Sequence, residues 1–146
     1  MTAALQEAIA ALLRAHPAYS GTPIITEAQA DYSKAVRNAA EISGGAFHLI
    51  ISTPSGNAGP FKGEPAPHGL VTIQIDHVYP PAIQELEGII TPDAAVKQTL
   101  TAICTGQAPE GTQATDIYYD SYQSLEDPET GNYTRRLQLT TALCLI

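Results

Sequence analysis

From Leu70 to Val78 apolar and polar residues alternate: Val71, Ile73 and Ile75 share one side, Thr72, Gln74 and Asp76 the other. That period of two predicts a half-buried strand with one wet face. Pro80 and Pro81 stop it, because proline gives the ladder no N–H and restricts the residue before it. Thr91, Pro92 and Asp93 then open a helix, with a hydroxyl at the N-cap, proline in the first turn and a carboxylate facing the helix dipole. Val96, Leu100 and Ile103 recur at helical spacing, and Gly106 stands where a closing glycine would.

The pattern extends in both directions. Residues 2–16 read as a helix, with Leu5, Ile9, Leu12 and Leu13 on one face and Gln6, Glu7 and Arg14 elsewhere; Pro17 ends it. Residues 22–26 are a short β-branched strand. A second helix is expected over 27–43, capped by Thr26, burying Ala28, Tyr32, Ala35, Ala39 and Ile42, and closed by Gly44 and Gly45. Residues 46–53 carry apolar groups on both faces and belong inside a sheet. Residues 54–69, rich in proline and glycine, read as one long loop, expected to be the most mobile internal segment of the free subunit.

After a polar connection over 107–114, strands at 115–126 and 132–146 close the chain as a hairpin around Asp127-Pro128-Glu129-Thr130-Gly131. A tight loop would set Leu125 opposite Tyr133, Tyr119 opposite Leu139 and Tyr122 opposite Arg136. The order is α-β-α-β-β-α-β-β. It predicts one α+β domain over residues 1–146, three helices packed on a mostly antiparallel sheet of about five strands.

Composition narrows the function. The 146 residues are 44% hydrophobic and only 15% charged, which is globular rather than disordered. Seven basic residues against fifteen acidic ones leave a net charge of -8, a poor match for a phosphate backbone. Arg135 and Arg136, the one adjacent basic pair, fall in a strand and point to opposite faces. Cys104 and Cys144 fit no metal-finger spacing and read as small buried hydrophobes. Gln6 and Glu7 interrupt the first apolar stretch, so no signal peptide is expected, and no apolar run reaches membrane-spanning length. A reducing cytosol is the expected setting.

Catalytic chemistry finds little support. His48, His68, Asp76 and His77 are the one metal-like set; His48 and His77 can approach on adjacent strands, but Asp76 and His77 face opposite ways, and no H-x-H or H-E-x-x-H spacing occurs. Residues 52–59 follow a strand like a phosphate loop, yet lack the G-K-[S/T] ending. Ser55 stands in no G-x-S-x-G. No catalytic residue, cofactor or metal is assigned. Asp116, Asp120, Glu126, Asp127 and Glu129 are interleaved with Tyr118, Tyr119 and Tyr122, which reads as a solvated strand or a protein contact surface. A small metal- or ligand-binding enzyme, with His48, His77 and the 54–69 loop as a lid, is the alternative.

The order of elements resembles that of the tail-terminator and tail-completion proteins of long-tailed bacteriophages and related particles. Val71-Thr72-Ile73-Gln74-Ile75 is similar to a strand of that family. Pro80-Pro81-Ala82-Ile83 with Gly88, then residues 91–104, are similar to its crossing and following helix. The resemblance implies a non-enzymatic virion protein, assembled in the host bacterial cytoplasm. Such a subunit forms a ring, commonly a hexamer, that closes the tail tube and meets the head connector. Its partners would be itself, tail-tube and connector proteins, with no specific nucleic acid and no membrane. On that reading the protein interface falls on the loop, with Phe61 and Lys62, and on the hairpin, with Tyr118, Tyr122 and Arg136.

Overall fold

A computed structural model describes residues 2–41, 46–58, 68–84, 88–112 and 114–144. Its elements are α1 (Thr2–Ala15), β1 (Ile24–Thr26), α2 (Tyr32–Glu41), β2 (His48–Ile51), β3 (Ser55–Ala58), β4 (His68–Tyr79), α3 (Pro92–Ile103), β5 (Tyr118–Glu126) and β6 (Tyr133–Cys144). The fold is α+β, and the strands lie in the order β1-β2-β4-β6-β5. Among the described residues only β1 and β2 run parallel; the other pairings are antiparallel.

The long β4–β6 ladder is the spine, from His68 opposite Cys144 to Tyr79 opposite Tyr133. Its inner face carries Val71, Ile73, Ile75, Leu137 and Leu139 into one core with Leu49 and Ile51 of β2, Leu5, Ile9 and Leu13 of α1, and Ala95, Val96 and Ile103 of α3. Leu12 is only half-buried. The helix α3 begins where its cap residues dictate: Thr91 Oγ1 accepts the Ala94 N–H at 3.3 Å, with Pro92 following. Gly106 has φ +78°, the left-handed turn that follows the helix.

Three expectations shift. The second helix starts at Tyr32 rather than residue 27, because residues 26–29 are already committed. The Glu27 N–H extends the parallel ladder to the Ile51 carbonyl, its carboxylate accepts from Thr53, and the Ala28 N–H donates to Gln6 Oε1. Ala28 is therefore exposed, and Gln6, placed off the apolar face of α1, is buried. Secondly, β3 falls inside the expected loop. It pairs with β4 beyond β2, in a register one residue offset, so Ser52–Pro54 is a break in one interrupted strand. Residues 59–67 of that loop, with Phe61 and Lys62, lie outside the described residues, as do Ile42 and the expected closing glycines 44 and 45.

The third shift is in the final hairpin. Tyr119 does oppose Leu139, but Tyr122 opposes Leu137 and Leu125 opposes Thr134, with an irregularity between Tyr119 and Ser121. Asp120 is the extra residue of a bulge, which changes the register by one along the strand. The hairpin loop itself is as expected: Gly131 has φ +75°, and a Cβ there would meet Pro81 Cγ at 3.0 Å.

Candidate interaction surface

Of the metal-like set, His48 and His77 are separated by the sheet. His48 pairs with Val78 and His77 with Leu49, so their side chains point to opposite faces and the expected approach does not occur. Among the described residues no group of three His, Cys, Asp or Glu side chains is placed to hold a metal ion. His48 Nδ1 lies 2.7 Å from the Ala46 carbonyl, and burial lowers its pKa.

His77 is fully buried on the inner face. Its Nδ1 donates to the Arg135 carbonyl at 3.0 Å, which leaves Nε2 to accept from Thr99 Oγ1 at 2.7 Å. Thr99 in turn lies 2.7 Å from the Tyr19 hydroxyl, which donates to the Ala95 carbonyl. Burial pushes the His77 pKa down to about 4 and the Tyr19 hydroxyl up to about 12. Both nitrogens of His77 are engaged, and the network ties α3 to the sheet. Thr99 has no signal in the sequence beyond its position one turn before Ile103.

Cys104 ends α3 as a half-buried free thiol whose pKa burial raises. Cys144 lies at the far end of β6, opposite His68. Beside the hairpin, a groove of about 230 Å³ runs between Tyr79, Ile83, Ile90, Pro92 and Tyr133. The Tyr79 hydroxyl spans its floor to the Ile90 carbonyl at 2.7 Å.

A row of rings connects this core to the surface. Tyr19, Phe47, Tyr79 and Tyr133 follow one another with centroids 4.8 to 6.3 Å apart. Beyond them Arg135 bonds Asp93 at 2.6 Å, reaches the Tyr133 hydroxyl, and lies 5.0 Å from the centroid of the Tyr122 ring. The row ends on β5.

That strand is the exposed edge of the sheet. Eight of its nine residues are exposed and only Leu125 is half-buried. Tyr118, Tyr119 and Tyr122 are 61%, 48% and 51% exposed. The bulge sorts the expected interface residues. Tyr119 and Tyr122 share the inner-face side with Leu139 and Leu137, past the reach of the helices. Tyr118 faces the other way, opposite Thr140. Arg136 is on that outer face too, bound through two nitrogens to Asp76 directly across the ladder at 3.0 and 3.2 Å. Tyr122 and Arg136, expected to stand opposite each other, thus occupy different faces. The five hairpin carboxylates form no ion pair among the described residues.

On the opposite side of the sheet, most outward backbone groups of β1 are already engaged. The outward carbonyl of Ile24 in β1 accepts from Arg14 at 3.0 Å, and the Thr26 N–H donates to Gln29 Oε1 at 3.0 Å. The Thr26 carbonyl accepts the Gln29 N–H. Side chains cover most of one edge against further pairing and leave the other open.

No family model matches the sequence, and no curated protein matches it. Solved structures do share the fold. A chain from the virion of a native gene transfer agent particle superposes with a TM-score of 0.67 at 13% identity, over 97% of this chain and 96% of that one. A second solved chain gives 0.52, also at 13% identity, over 99% of this chain and 93% of that one. Among the described residues no helix is long and apolar enough to cross a membrane.

Proposed function

We propose that this chain is a structural virion protein of a phage tail or a related particle, acting as the ring-forming subunit that terminates the tail where it meets the head. The observation that carries the reading is the end-to-end fold shared with a chain of a gene transfer agent virion. The chain's own features support it. A ring subunit needs a stiff body, supplied by the β4–β6 spine and the core beneath it. It also needs two different contact patches, since rings close by heterologous contacts. The exposed, tyrosine-bearing edge strand is one such patch. The nearest partners on this reading are further copies of the chain, then tail-tube and connector proteins. An acidic surface also lets nucleic acid pass without sticking.

The test is genetic and visual. Deleting the gene from a cell that makes the particle should leave heads and unclosed or overlong tails that fail to join, restored by a plasmid copy. Normal, joined particles from the deletion strain would end this reading.

A further inference from the structure

We propose that the open β5 edge of one copy docks on the α2 face of the next, so that the two edges of the sheet form a single head-to-tail contact. The proposal rests on the ring reading and names its interface. Between residues 115 and 131 the chain carries Asp116, Asp120, Glu126, Asp127 and Glu129 and no Lys or Arg. The three exposed tyrosines lie among them. At the other end of the sheet α2 packs against β1. Its Lys34 and Arg37, three residues apart and so on neighbouring turns of one face, are exposed and have no acidic partner among the described residues.

The alternatives are less favourable on the same observations. Two β5 edges meeting each other would bring together two segments that hold only negative charge, and like charges facing across strands destabilise the pair. The β1 edge offers little of a ladder, because Arg14 holds the Ile24 carbonyl and Gln29 the Thr26 N–H and carbonyl. Contact at that end must run through side chains, and the cations of α2 are the complementary ones. A contact between opposite edges is heterologous, the kind that closes a ring. Tyrosines at its centre supply desolvated area, while the charges set partner and register.

The experiment uses the full chain with two charge-reversed variants: Asp120→Lys with Glu126→Lys, and Lys34→Glu with Arg37→Glu. Self-association is read by sedimentation up to millimolar concentration, and by a photo-crosslinking residue in place of Tyr122 with the linked peptide identified in mixed-isotope samples. Wild type is expected to associate and to link Tyr122 to α2 of a second copy. Each variant alone places like charges at both patches and should associate roughly tenfold or more weakly. An equimolar mixture pairs each reversed patch with its complement and should restore association, which also shows both variants folded. Three results overturn the proposal: a wild-type chain with neither association nor cross-link, variants that associate like wild type, or a mixture no better than its components. Loss of tail closure in the deletion strain is read independently, so this contact can fail while the ring reading stands.

Discussion

His77 is fully buried, and burial favours its neutral form over the charged one. Above pH 6.5 it is neutral both folded and unfolded. Between pH 6.5 and about 4 the unfolded chain binds a proton that the folded chain refuses, so stability falls as pH falls through that window. The full loss is about 3 kcal/mol at the acid end, each pKa unit corresponding to about 1.4 kcal/mol. His48, also held below its ordinary pKa by burial, adds a loss of the same sign. Urea unfolding at a series of pH values should show this slope, and His77→Gln should flatten it. An equal slope in the variant would mean that another group carries it. Tyr19→Phe removes the hydroxyl that donates to Ala95 and neighbours Thr99, and should cost about 1 kcal/mol in the same assay. The inward side of His77 was legible from its parity with Val71, Ile73 and Ile75. Its partners were not: Thr99 lies 22 residues away on a helix, and only packing brings it to Nε2.

At the scale of elements, periodicity located the three described α-helices and the long strands, and local competition moved their ends. Thr26 and Glu27 look like a helix start, but the parallel ladder to Ile51 takes the Glu27 N–H first. The four residues of β3 carry no alternation at all, Ser-Gly-Asn-Ala, and are a strand only because β4 extends beside them. The Asp120 bulge is invisible in composition, yet it decides that Tyr122 and Arg136 face apart. The hairpin loop was legible from its proline and glycine. Gly131 combines a left-handed backbone with a close approach to Pro81, so Gly131→Ala should destabilise by roughly 1–3 kcal/mol, read as a lowered urea midpoint. Thr91→Ala, which removes the α3 cap, should cost about 1 kcal/mol with the sheet intact by circular dichroism. Neither substitution touches the exposed edge, so both should leave self-association unchanged once folded.

Over the whole molecule, the sheet presents two unlike edges on one rigid spine. At one, Arg14 and Gln29 engage the outward groups of β1; the other is bare, acidic and tyrosine-bearing. The element order led from sequence to an α+β fold, but not to which strand lies outermost, since sheet order depends on pairings across the chain. The candidate surface was half legible: the tyrosines and carboxylates were visible in residues 116–129, while the engaged partner edge was not. The role proposed for this chain is that of a ring subunit closing a tail at the head. Cryo-electron microscopy of particles assembled with the wild-type chain tests it most directly, by reconstruction of the head–tail junction. A closed ring of subunits of this fold is expected at the tail's head-proximal end, β5 of each copy toward its neighbour. A junction without this fold, or with the chain as an isolated single copy, would contradict it.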